Sequence, residues 1–155
     1  MTSPLSIQAL MDTPQGLFIA PYQPAPGQAL PYFGSSVPAG FPSPATDYLE
    51  ERLDLNELVI RHPAATFFVQ VQGESMVGAG IHPGDTLVVD RAEPPADNKV
   101  VVAVVDGAFT IKRLRLRQGR AMLVAENPAL KPLEITEDME FEVWGVVTYV
   151  IHRVK

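Results

Sequence analysis

Residues 100–117 read Val100-Val101-Val102-Ala103-Val104-Val105-Asp106-Gly107-Ala108-Phe109-Thr110-Ile111-Lys112-Arg113-Leu114-Arg115-Leu116-Arg117, and this run decides the fold class. Val100 to Val105 and Ala108 to Leu116 are rich in β-branched and apolar residues, the composition of strands. Asp106-Gly107 between them is a hairpin signal, because both central positions of a two-residue loop need a positive φ that Asp and Gly tolerate. Successive side chains of a strand point to opposite faces. Lys112, Leu114 and Leu116 therefore share one face, and Arg113, Arg115 and Arg117 share the other. The arginines are expected to take the solvent, which sets Lys112 on the side that meets the core.

An amine carried into a core loses the hydration of its charged form, so its pKa falls and a neutral, proton-accepting lysine becomes available. Moving it from about 10.4 to roughly 7 costs about 4 to 5 kcal/mol. The strand pattern alone also allows Lys112 to lie along the apolar face and reach water with its head.

Working outward, runs of similar character occupy Thr66 to Val71, Thr86 to Asp90, Ala121 to Ala125 and Phe141 to Ile151, punctuated by turn chemistry such as Pro83-Gly84-Asp85. The body is expected to be mainly β. Ahead of it, Asp47 with Glu50 and Asp54 with Glu57 each resemble a capping box. One or two short helices follow from this, with Leu49, Leu53 and Leu58 as an apolar stripe and Pro63 as the stop.

The first forty residues hold seven of the fifteen prolines, and all twelve Lys and Arg residues lie at or beyond Arg52. Proline fixes φ and donates no hydrogen bond, so residues 1–46 read as an extended Pro-rich arm rather than a helix or the inside of a sheet, and residues 47–155 as one folded domain. Leu17, Phe18, Ile19, Tyr32 and Phe33 are apolar enough for parts of the arm to lie against the body.

Function classes narrow by exclusion. The chain has no cysteine, hence no disulfide, thiolate metal site or cysteine nucleophile. No apolar stretch is long enough to cross a bilayer and no basic leader opens the sequence, so a cytoplasmic protein without a membrane partner is expected. A net charge of -6 argues against direct specific DNA binding, which needs a surplus of Lys and Arg on one face. No cofactor is indicated.

Gly73-Glu74-Ser75-Met76 follows the strand ending near Gln72. A serine at a strand end among glycines can expose its Oγ together with the backbone N–H groups of Ser75 and of Glu74 or Met76, as nucleophilic attack and oxyanion binding require. The same setting also suits a serine that only makes a local turn hydrogen bond. His62, His82 and His152 lack any third group to orient them as bases. Lys112, thirty-seven positions on, is the better candidate.

Several motifs in order resemble the UmuD proteins, relatives of the self-cleaving domain of the LexA repressor. They are Ala39-Gly40-Phe41-Pro42-Ser43-Pro44-Ala45, Asp47-Tyr48, Asp54-Leu55-Asn56, His62-Pro63, Gly73-Glu74-Ser75-Met76, Gly84-Asp85, Val105-Asp106-Gly107, Phe109-Thr110 with Lys112, and Glu126-Asn127-Pro128. The resemblance covers residues 39 to about 151. It implies a compact LexA/UmuD-type catalytic β domain with Ser75 as nucleophile, Lys112 as base and Ala39-Gly40 as the cleaved bond. It further implies a RecA filament on single-stranded DNA as the trigger, and a shortened homodimer serving a translesion DNA polymerase of the UmuC type. Small Ala39, unhindered Gly40 and the flanking Pro38 and Pro42 suit an extended substrate. Thirty-five positions separate Gly40 from Ser75, about 115 Å when extended, so reach permits cleavage within a subunit or across a dimer.

Three rivals share parts of this pattern. A LexA-type repressor needs a groove-binding helix, yet no Lys or Arg precedes Arg52. A signal peptidase needs a membrane anchor or apolar insertion surface. A non-enzymatic β module would make Ser75 and Lys112 incidental.

Overall fold

A computed structural model describes residues 19–21, 27–33, 36–42 and 50–155. The expected helix start at Asp47, together with Leu49, Leu17 and Phe18, lies outside them. Among the described residues there are ten strands: β1 (Ile19–Pro21), β2 (Leu30–Phe33), β3 (Glu50–Leu53), β4 (Thr66–Gln70), β5 (Thr86–Asp90), β6 (Val100–Val105), β7 (Ala108–Arg117), β8 (Arg120–Val124), β9 (Leu133–Glu134) and β10 (Phe141–Ile151). Eight form one sheet in the order β1-β4-β5-β10-β6-β7-β8-β9, and β2 pairs with β3 in a separate ribbon; every pairing is antiparallel. The protein is mainly β, as its sequence pattern requires.

The β6–β7 hairpin turns on Asp106 (φ 49°) and Gly107 (φ 80°), the two positive values that this loop demands. Neighbouring residues of β6 feed different cores. Val102 joins Ile111, Trp144, Val69, Leu87, Val89 and Met76, whereas Val101 and Ala103 join Leu114, Leu123 and Val146. The sheet is thus covered on both faces, and β10 bends between the two cores through register shifts at Val143/Gly145 and Val147/Tyr149. Gly145 sits at the first of these bulges, where a Cβ would come within 2.6 Å of Val89. Only glycine lets the central strand approach β5 so closely.

Two expectations need correction. The arginine face of β7 is not simply solvated: Ile111 on that face is buried, and Arg113 and Arg115 are partly covered and ion-paired to Glu126 and Asp97. Alternation assigns a face, but the second core covers what a lone sheet would leave wet. Among the described residues there is one α-helix, α1 (Leu55–Val59), within the one or two expected, with the Asp54 carboxylate accepting from the Asn56 N–H at 2.9 Å. The apolar stripe is not formed, because Glu50–Leu53 is extended and paired with Leu30–Phe33; Leu58 is exposed, and Val59 and Ile60 are buried against Val88 instead. Pro63 opens a separate 3-10 turn, Pro63–Ala65. Parts of the Pro-rich arm form strands outside the interior of the sheet. β1 occupies the outer edge of the large sheet, with Ile19 opposite Val69, and β2 carries Pro31 in a two-stranded ribbon. Both are edge positions, where a missing N–H need not break a ladder.

Candidate active site

After Gln70 the chain leaves β4 but stays anchored: the Val71 N–H donates to the Asp85 carbonyl at 2.9 Å and the Gly84 N–H to the Val71 carbonyl at 2.9 Å. Gly73, at φ 79°, then reverses the backbone toward Ser75. Met76, 2 % exposed, is plugged into the larger core and fixes the loop one residue beyond the serine. A 3-10 turn, Val77–Ala79, follows.

The other side of this loop rests on residues 126–127. The Gly78 N–H donates to the Glu126 carbonyl at 2.8 Å, and the Asn127 side-chain amide donates to the Glu74 carbonyl at 3.0 Å. A Cβ at Gly78 would lie 2.6 Å from that Glu126 oxygen. The Glu126 carboxylate in turn accepts from Arg113 Nε on β7. The turn's backbone hydrogen bonds use the carbonyls of Glu74 and Met76 as acceptors, and among the described residues the N–H groups of Ser75 and Met76 donate to no protein oxygen.

Lys112 stands opposite Val101 in the β6–β7 pairing, on the face expected from alternation, and it is half-buried. Its Nζ lies 3.2 Å from Ser75 Oγ, 2.9 Å from Thr110 Oγ1 and 3.2 Å from the Ile111 carbonyl oxygen. A neutral amine has two hydrogens and one lone pair. Donation to Thr110 and Ile111 uses both hydrogens and leaves the lone pair for the Ser75 hydroxyl. Burial lowers the Lys112 pKa from its ordinary value, and among the described residues no carboxylate lies within ion-pair distance to hold the charge in place.

Ser75 and Lys112 share a cleft with Val71, Gln72, Met76, Phe109, Thr110 and Ile111. β6 pairs with β7 from Ala108 to Arg113, while β8 begins its pairing only at Arg113. The Phe109–Lys112 edge beside the cleft therefore has no strand partner on that side among the described residues. Ala39 and Gly40 lie in an exposed bend, Phe41 is 94 % exposed, and none of residues 36–42 lines the cleft.

The three histidines set aside as bases stay away from Ser75. His62 Nδ1 pairs with Asp90 Oδ2 at 2.6 Å and His152 Nδ1 with Asp85 Oδ1 at 2.6 Å. Sequence reasoning missed Thr110, although it lies two residues from Lys112 on the same strand face and alternation could have found it. It assigned no job to Arg113, Glu126 or Asn127, whose contacts join segments far apart in sequence.

The comparisons with known proteins agree with this geometry. Residues 31–148 match the family model described as Peptidase S24-like. The chain is 48 % identical over 139 residues to Protein SamA of Salmonella typhimurium, covering 90 % of this chain and 96 % of that one. It is 49 % identical over 133 residues to Protein ImpA of Escherichia coli, covering 81 % and 85 %. LexA repressor 1 of Pseudomonas syringae pv. tomato is 33 % identical over 141 residues, covering 90 % of this chain and 69 % of the repressor. Among the described residues no helix is long and apolar enough to cross a membrane. The chain belongs to the Peptidase S24-like family, among the UmuD-like, self-cleaving proteins of SOS mutagenesis.

Proposed function

We propose that this protein cleaves its own Ala39-Gly40 bond with Ser75 as nucleophile and Lys112 as general base. The observation that carries the reading is the 3.2 Å contact between Lys112 Nζ and Ser75 Oγ, made by a half-buried amine with no ion-pair partner among the described residues. Lys112 takes the Ser75 proton, Oγ adds to the Ala39 carbonyl carbon, and the resulting oxyanion faces the N–H groups of Ser75 and of Met76 or Glu74. Collapse of that intermediate breaks the bond to Gly40, whose nitrogen receives the proton held by Lys112. Water then hydrolyses the Ala39 ester and restores the serine.

The open edge of β7 suits an extended substrate, which would add as a strand with Ala39 at the serine. The bend at residues 39–41 must leave its exposed place first, so cleavage is slow until something favours that movement. By the family resemblance, that trigger is a RecA filament on single-stranded DNA. The arm of residues 1–46 carries the scissile bond, and residues 47–155 carry catalysis and dimerisation. The product is a shortened homodimer that serves as accessory subunit of an error-prone translesion DNA polymerase. A net charge of -6 fits a role on DNA that runs through protein partners.

The test is incubation of the purified chain over a series of alkaline pH values, with the products weighed by mass spectrometry. A fragment beginning at Gly40, forming faster as pH rises and absent from Ser75→Ala and Lys112→Ala, is the expected result. Cleavage at that bond by either variant would overturn the assignment.

A further inference from the structure

At the end of the molecule where β10 runs out, His82, Asp85 and His152 bring one ligand atom each to within 4.8 Å of one another. We propose that these three residues form a binding site for one divalent transition-metal ion of the zinc, cobalt or nickel class. The Asp85 side chain is only 3 % exposed, whereas both imidazoles are nearly half exposed, so the carboxylate forms the floor of the site and the rings its rim. His152 Nδ1 lies 2.6 Å from Asp85 Oδ1, and His82 Nδ1 lies 3.8 Å from Asp85 Oδ2. The rings are 5.2 Å apart between centroids and inclined at 45°, facing each other across the carboxylate rather than stacked.

A buried carboxylate gains from a cation, and among the described residues the ion-pair contacts of Asp85 are to His82 and His152 alone. Burial by itself would raise the Asp85 pKa, yet the His82 backbone N–H and the His152 ring outweigh it and hold the carboxyl below its ordinary value. The cluster offers a carboxylate and two imidazoles with no lysine or arginine ion-paired to the carboxylate among the described residues. A metal ion in place of the proton between His152 and Asp85 supplies a cation and uses both imidazoles as neutral nitrogen donors.

The backbone that carries the donors is already fixed. His82 and Asp85 belong to one turn in which the Asp85 N–H donates to the His82 carbonyl at 3.1 Å, the His82 N–H donates to Asp85 Oδ2 at 2.8 Å and Gly84 takes φ 89°. His152 follows directly on Ile151, the last residue of β10 and the partner of Thr86. Ligand atoms about 2 Å from a tetrahedral zinc lie roughly 3.4 Å apart, so small rotations of two rim-exposed rings suffice, with a water completing the shell. Arg153 and Lys155 line the same pocket. Their charge opposes any dication, so affinity has to come from the two imidazole nitrogens, from which zinc, cobalt and nickel gain and calcium and magnesium do not.

The test uses the untagged full-length protein, stripped with chelator and titrated with cobalt(II) and with zinc(II). One equivalent of cobalt should give the visible absorption bands of a tetrahedral site, and calorimetry should give one zinc per chain. His82→Ala and His152→Ala should each weaken binding at least about tenfold, while His62→Ala, in the other histidine–aspartate pair, should leave it unchanged. Asp85 is kept in all variants because it is buried. No saturable binding, or binding that survives loss of both His82 and His152, would overturn the proposal.

Discussion

β7 carries two kinds of cation on one strand. From Arg113 onward β8 covers the side of the strand that is bare before it, and two of the strand's guanidiniums meet carboxylates: Arg113 with Glu126, and Arg115 with Asp97 at 3.4 Å. One residue earlier the strand has, among the described residues, no partner on that side, and there Lys112 meets two hydroxyls and a carbonyl but no anion. The contrast separates holding a structure together from doing chemistry. A guanidinium never releases its proton and gains from a carboxylate, whereas an amine short of hydration and counter-ion has a lowered pKa and is more readily neutral, with its lone pair free to accept a proton.

The largest effect should come from erasing that contrast. Lys112→Arg keeps the charge and much of the stem but puts a group at the serine that cannot accept a proton. Self-cleavage should fall at least about a thousandfold at every pH, with the folded state retained. Cleavage rate read beside circular dichroism checks this, and a Lys112→Arg chain that still cut at Ala39-Gly40 would remove lysine from the mechanism.

A second substitution gives Lys112 the partner it lacks. In Thr110→Asp a carboxylate would stand where a hydroxyl now lies 2.9 Å from Nζ. An anion there stabilises the ammonium and raises its pKa, so the neutral fraction at a given pH falls. The inflection of the pH–rate profile should move up by about one to two pH units, with a loss of roughly 10- to 100-fold near neutrality that recovers as pH rises. Thr110→Val removes the hydrogen bond without adding charge and should slow cleavage by about fivefold with no shift of the inflection. If Thr110→Asp left the profile in place, the amine at position 112 would not be the titrating base.

How far these features are legible in the sequence follows from the range of the interactions. The β6–β7 hairpin, the extents of β5 and β10 and the face of Lys112 are local consequences of alternation and one turn, and all are read correctly from residues 86–151. Ser75 and Lys112 are separated by β5, β6 and half of β7, so their 3.2 Å contact follows from sheet order, which periodicity does not encode. Setting the histidines aside made Lys112 the better base for Ser75, and the resemblance to a known family then assigned the pair. β1, β2 and β3 went unseen because they are short, two of them contain proline, and their stability comes from partners elsewhere in the chain. The burial of Ile111 among arginines has the same cause, since a strand cannot announce that a second core lies behind its charged face.

A smaller effect tests whether the support of the nucleophile loop is structural or catalytic. Asn127 touches neither Ser75 nor Lys112; its amide donates to the Glu74 carbonyl, one residue before the serine. Asn127→Ala removes that hydrogen bond and also the one that Asn127 Oδ1 accepts from the Ala129 N–H at 3.0 Å, a loss of about 1 to 2 kcal/mol. If it positions the loop, cleavage should slow by about fivefold with the pH inflection unchanged, because the base keeps its surroundings. A shift of the inflection would instead mean that Asn127 helps set the lysine's environment.

The smallest effect belongs to the paired half of β7. Arg115 meets Asp97 at 3.4 Å and donates to Asn98 Oδ1 at 2.9 Å, with both partners partly in water. Exposed pairs of this kind contribute little, because the attraction is screened and two long side chains must be held still. Arg115→Ala should leave the cleavage rate within about twofold and the thermal midpoint within about 2 °C. Asp97 is also tied by accepting the Leu116 N–H at 2.8 Å, so the turn that it belongs to keeps an anchor when the guanidinium is gone. A large fall in cleavage without loss of fold would mean that the two halves of the strand are coupled, and that the arginine row helps to set the cleft; an unchanged rate leaves the chemistry confined to the half where a cation stands without an anion.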